Sequence, residues 1–172
     1  MGHNRDLKTQ PLNKKEIKDL KKKRDSNVVW MNDHWIYKEI QPYVNQANQN
    51  AGWNFNWDWS ESCQFTKYKP GQYYDWHCDS WEGVYKKEGP SKGKIRKLSV
   101  TVSLSDEKDY SGGELEFQFR NVDNPKASRV CKEILPKGSV VVFPSFVWHR
   151  VKPVKKGVRY SLVVWNLGHP FK

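Results

Sequence analysis

The feature that most limits what this chain can fold into is a succession of short strand-like runs from residue 62 onward, several of them separated by glycine or proline turns. Runs over about 63–69, 73–77, 97–104, 114–119, 130–135, 139–143, 147–151 and 158–166 are rich in β-branched and aromatic residues. Between them stand Pro70-Gly71, Gly112-Gly113, Pro136-Lys137-Gly138 and Lys155-Lys156-Gly157, all turn-forming. Eight strands at this spacing predict a mainly β chain closed as a jelly roll, a double-stranded β-helix. Upstream, Asp33 can cap a helix carrying Trp35, Ile36, Ile40 and Val44, which Pro42 is expected to kink or split, so N-terminal helices are expected to pack on the sheet. From Trp53 to Trp59 aromatic and polar residues alternate strictly, which predicts a strand covering a core.

At 172 residues the length favours one domain, able to bury about 70% of its unfolded surface. Three cysteines, Cys63, Cys78 and Cys131, form an odd set without metal-ribbon spacing and suit a reducing compartment. No apolar run is long enough for a signal peptide or a membrane span, so cytoplasmic residence is the expectation. The net charge of +11 is uneven, because residues 1–24 hold nine Lys/Arg against three Asp/Glu. The expected organisation is therefore a basic arm over 1–24 and a single domain over 25–172. The arm reads either as a solubilising leader or as a weak docking segment for nucleic acid, the ribosome or an acidic protein.

Chemistry enters with His77 and Asp79, the two ends of a His-x-Asp triplet. The run from Gly71 to His77 follows a turn and reads as a strand, where residues two apart project to one side. A second histidine, His149, lies in an apolar-flanked strand after Pro144-Ser145. Two imidazoles and one carboxylate can occupy one face of an Fe(II) ion and leave the remaining positions open to an oxidising co-substrate and O2. The bland alternative is a strand histidine satisfied by a backbone partner. Ten residues beyond His149, Arg159, Ser161 and Val163 share one face of an alternating strand, and a cation inside a barrel needs an anion.

Three segments carry a family resemblance: YKPGQYYDWHCD from Tyr68 to Asp79, the turn Ser111-Gly112-Gly113-Glu114-Leu115, and WHRVKPVKKGVRYSLVVW from Trp148 to Trp165. They resemble the Fe(II)/2-oxoglutarate-dependent dioxygenases, most closely the prolyl 4-hydroxylase and PKHD-type hydroxylase branch, over about residues 60–168. The resemblance implies a cupin-like jelly roll with His77, Asp79 and His149 as iron ligands. It also implies Arg159 and Ser161 on the far carboxylate of 2-oxoglutarate, Tyr68 near the co-substrate or substrate, and Trp165 lining the substrate side. The reaction implied is hydroxylation of a C–H bond, with a prolyl residue of a protein or peptide as substrate and succinate and CO2 as co-products. Where the branch often places a strong polar group on the third core strand, this chain offers Ser99, Thr101 and Ser103.

Shielding of the site is expected from Trp76, Val141, Phe143 and Val163, and the long segment Ser80–Arg96 directly after the ligands reads as a lid or substrate finger. Rival readings are an oxygenase acting on another residue or on nucleic acid, a jelly roll binding Mn or Zn, and a non-catalytic jelly-roll binding module. The last two leave Arg159 without a purpose, since burying a cation without its ligand is costly.

Overall fold

The computed structural model describes residues 22–80, 83–119 and 127–172. Its strands are β1 (Arg24–Asp25), β2 (Asn27–Met31), β3 (Trp59–Ser60), β4 (Cys63–Tyr68), β5 (Tyr73–His77), β6 (Ile95–Ser103) and β7 (Tyr110–Gly112). They continue with β8 (Leu115–Gln118), β9 (Arg129–Val130), β10 (Val140–Pro144), β11 (Trp148–Val151), β12 (Val154–Gly157) and β13 (Arg159–Gly168). Two antiparallel sheets result, in the orders β1-β5-β11-β8-β9 and β10-β6-β13-β4-β2, with β3 beside β13 and a small β12-β7 ribbon. Non-consecutive neighbours in both sheets make this the expected jelly roll.

The sheets face each other. Tyr68 and Phe143 from the larger sheet share one apolar cluster with Leu115, Phe117 and Val151 from the smaller. The outer face of the larger sheet has its own core, built from Leu98, Val100, Leu162 and Val164 under the helix α1 (His34–Asn50). That helix buries Ile36, Ile40, Val44 and Asn48, a stripe of one residue every fourth position. Asp33 takes the cap position in extended backbone but makes no side-chain cap bond.

Several expectations need correction. The described residues contain one long helix, not several, and Pro42 does not split it. Pro42 is exposed, so the carbonyl one turn before it, left without its helical donor, can turn to water. Residues 53–58 are not a strand, although Trp53, Phe55 and Trp57 do pack on the core while Asn54 and Asn56 are exposed. The alternation reported burial correctly, but among the described residues only the end of this segment reaches a strand, where the Asp58 N–H donates to the Leu167 carbonyl of β13 at 2.9 Å. The run expected over 130–135 is the end of β9 followed by a 3-10 turn at Lys132–Ile134. Strands β1, β2, β7 and β12 were not expected at all. Most of the basic arm lies outside the described residues, but its last member, Arg24, belongs to β1.

Candidate metal centre

His77 and His149 stand directly opposite each other in the β5–β11 ladder, so the backbone register alone brings two imidazoles together. Their ring centroids are 4.2 Å apart. Asp79 follows β5 by two residues and is fixed by its backbone: its N–H and that of Ser80 both donate to the Ser145 carbonyl at 2.9 Å. One ligand atom from each of the three buried side chains lies within 4.8 Å of the others. Asp79 Oδ1 is 3.8 Å from His77 Nε2, and Oδ2 is 3.5 Å from His149 Nε2.

Each ring is also oriented from behind. His77 Nδ1 lies 2.7 Å from the Asp75 carbonyl and His149 Nδ1 lies 2.9 Å from the Val147 carbonyl, in both cases two residues back along the strand. A carbonyl can only accept, so Nδ1 carries the proton and Nε2 presents its lone pair toward Asp79, the tautomer a metal requires. Burial, reinforced by the neighbouring His149, pushes the His77 pKa down to about 3 and keeps its ring neutral. Burial raises the pKa of Asp79, but its His149, His77 and Arg96 neighbours outweigh that effect and hold the carboxyl below the usual carboxylate range. The Ser99 hydroxyl donates to Asp79 Oδ2 at 2.8 Å and touches the Ser145 hydroxyl at 2.9 Å. Of the three third-strand candidates, Ser99 therefore serves the carboxylate, while Ser103 pairs in register with Ser161 and Thr101 with Val163.

Arg159 opens β13 opposite Tyr68, with its guanidinium carbon 5.6 Å from the centre of the tyrosine ring. It is 3% exposed, bonds Ser161 Oγ at 3.3 Å, and among the described residues meets no carboxylate. Gly113 clears its path: at φ +66° it would place any Cβ about 3.0 Å from Arg159 Cδ. Around these groups the larger sheet turns Gln64, Thr66, Ser99, Thr101, Ser103 and Ser161 inward, all buried. A core built only for stability has little reason to hold so many hydroxyls.

Trp76, expected to shield the ligands, points away and lies 4.6 Å beneath Arg150, itself bonded to Glu116. Its place is taken by Tyr74, which stacks on His77 at 3.5 Å, and by Phe143, edge-on to His149 at 4.8 Å. Trp165 is buried next to the site, under the Arg96 guanidinium at 3.9 Å. Arg96 in turn donates twice to Glu61, which also accepts from Tyr85, so the long segment after the ligands is pinned at its base. Tyr74 was hidden in the sequence because its neighbour Tyr73 has the parity expected for an inward residue; the irregular register between β5 and β11 reverses it.

A sequence model of the 2OG-Fe(II) oxygenase superfamily matches residues 63–166, more than half of the chain. The chain belongs to that superfamily. Membership implies Fe(II), 2-oxoglutarate and O2, and the donor set fits: two imidazoles and one carboxylate converge, and a buried arginine without a carboxylate partner among the described residues stands in the same interior. The chain is 39% identical over 95 residues to a PKHD-type hydroxylase of Synechococcus sp. (strain CC9902), covering 55% of this chain and 36% of that one. A PKHD-type hydroxylase of Pseudomonas fluorescens is 37% identical over 99 residues, with coverage of 58% and 40%. The chain thus spans only about two fifths of the length of these curated relatives. Among solved structures, a Pseudomonas putida prolyl-4-hydroxylase superposes with a TM-score of 0.60 at 20% identity, covering 85% of this chain and 73% of that one. A Trichoplax adhaerens prolyl hydroxylase in complex with a hypoxia inducible factor peptide gives 0.62 at 18% identity, covering 85% and 64%. Both likenesses are likenesses of fold. No helix among the described residues is long and apolar enough to cross a membrane.

Proposed function

We propose that the chain hydroxylates a C–H bond with Fe(II), 2-oxoglutarate and O2, and that the substrate is a prolyl residue of a protein or peptide. The observation that carries this is the His77, Asp79, His149 triad standing in one interior with Arg159, a buried cation that meets no carboxylate among the described residues. In this reading the Nε2 atoms of His77 and His149 and the carboxylate of Asp79 hold the iron. When bound, iron and 2-oxoglutarate together supply an O2-driven oxidation that yields succinate, CO2 and one oxygen atom for the substrate.

The chain's own residues supply position and electrostatics. Arg159 suits the distal carboxylate of 2-oxoglutarate because its fork can donate two parallel bonds and keeps its charge when buried. Ser161 stands beside it to complete the contact. Tyr68, facing Arg159, is buried, and that burial raises the pKa of its hydroxyl; it stays a neutral donor toward the co-substrate. Tyr74 and Phe143 cover the two imidazoles and exclude water from them. Trp165 lines the substrate side. The prolyl substrate is supported by the PKHD-type relatives and by the prolyl hydroxylase fold.

Calorimetric titration of 2-oxoglutarate into the anaerobic Mn(II) protein tests the assignment. Arg159→Ala should keep metal affinity and weaken 2-oxoglutarate by roughly 30-fold or more, since a lost charge-assisted bidentate contact costs about 2–4 kcal/mol. Wild-type binding in that variant would sink the co-substrate role. Succinate release across proline peptides, other peptides and oligonucleotides then identifies the substrate.

A further inference from the structure

We infer that Arg24 and the indole N–H of Trp165 together hold a carboxylate of the primary substrate beside the metal triad. Among the described residues, only two buried side-chain nitrogen or oxygen atoms have no hydrogen-bond partner: Arg24 Nη2 and Trp165 Nε1. A buried donor left unpaired costs roughly 1–3 kcal/mol, and a charged one more, so two in one place call for an acceptor from outside the chain.

They are in one place. Arg24 pairs in register with Tyr74, lies 4.6 Å over its ring, and Tyr74 stacks on His77. The other guanidinium nitrogens are committed, Nε to Ser26 Oγ at 2.8 Å and Nη1 to Gln64 Oε1 at 3.1 Å, which leaves Nη2 on the Tyr68 side of the chamber without an acceptor at hydrogen-bond distance. Gln64 faces Val163 on one side and Trp30 on the other. The Trp30 ring lies 6.1 Å from that of Trp165. The Trp165 indole lies near Asp79, although no acceptor stands at hydrogen-bond distance from its N–H, and the Arg24 guanidinium lies within electrostatic reach of His77. Both free donors therefore border the triad from the β1, β2, β4 and β13 side.

Charge selects the acceptor. Arg96 and Glu61 cancel, and Asp79 opposes a divalent metal, Arg159 and Arg24. Bound 2-oxoglutarate, a dianion, still leaves one positive charge in a low-dielectric interior. A neutral carbonyl would satisfy a hydrogen bond and leave that charge, whereas a carboxylate answers both and offers two oxygens for two donors. The substrate class is a carboxylate-bearing molecule with its oxidised C–H near the acid group, as at the end of a peptide or in an N-blocked amino acid.

This rests on the metal and 2-oxoglutarate reading above. The test is anaerobic calorimetric titration of N-acetyl-L-proline and N-acetyl-L-prolinamide into the Mn(II)–2-oxoglutarate protein. The acid should bind about 10-fold or more tighter than the amide, Arg24→Gln should bring the two within about twofold, and Arg24→Lys should keep part of the preference. Trp165→Phe, which removes the N–H, should weaken the acid by a larger factor than the amide. Equal affinities in the wild type, a preference that survives Arg24→Gln, or no saturable binding of the acid overturns the inference. Failure of the wild type to take up 2-oxoglutarate before either probe is added overturns the oxygenase reading instead. Thermal melts of each variant report folding; if Arg24→Gln does not fold, the wild-type ratio and Arg24→Lys decide.

Discussion

The two faces of β13 differ as much as two proteins do. Leu162 and Val164 look outward into the cluster under α1, where Ile36, Ile40 and Val44 close the contact. Arg159, Ser161 and Trp165 look inward, among hydroxyls, an amide and the triad. Ten residues of one strand thus carry a folding core on one side and a binding chamber on the other. The period-2 pleat makes the separation possible, and it predicts that damage to one face should leave the other's property largely intact.

The largest expected effect is on the inner face. His149→Ala should lower Mn(II) affinity by about three orders of magnitude, roughly 4 kcal/mol, while the metal-free protein melts within a few degrees of wild type. Metal titration followed by a melt reads both, and retained affinity would remove His149 from the site. The outer face should respond the opposite way. Leu98→Ala leaves a cavity in a site with no exposure and should cost about 2–5 kcal/mol of stability, yet below its lowered Tm it should bind one Mn(II) per chain as before. Loss of metal binding in the folded variant would mean that the faces are coupled.

A smaller effect sharpens the comparison through pH. His77 has a folded pKa near 3 against 6.5 unfolded, so below about pH 6.5 the unfolded chain takes a proton that the folded one refuses. Its contribution to stability is present above 6.5 and is lost as pH falls toward 3. The metal-free protein should therefore melt at lower temperature as pH drops from 7 to 4.5, and His77→Gln should flatten that slope. An identical slope in His77→Gln would show that the acid sensitivity arises elsewhere.

Most of the sheet-forming strands and the convergence of His77, Asp79 and His149 were legible because both depend on local signals: turns at Pro70-Gly71 and Gly112-Gly113, β-branched runs, and a His-x-Asp at strand parity. What parity could not show was the register irregularity that turns Tyr74 rather than Trp76 onto His77. Arg24 was illegible for another reason. In a run of lysines it reads as one more solvated charge, and only the pairing of β1 with β5, nearly fifty residues away, carries it inside. The segment from Trp53 to Trp59 taught the converse, since its pattern recorded which side chains are buried without recording how the backbone bonds.

Both imidazoles are anchored through Nδ1 to backbone carbonyls two residues earlier in the chain, so the two rings need no rotamer search when an ion arrives. The backbone, rather than the ion, sets that orientation. A set of two nitrogens and one carboxylate fixed in this way is nearly indifferent among the late first-row divalent ions, whose affinities rise toward copper whatever the protein does. Zn(II) or Ni(II) should therefore occupy it as readily as iron and silence it. Fidelity for iron then resides in the supply of metals around the protein, and exposure to the wrong ion becomes a form of inhibition built into the strand geometry.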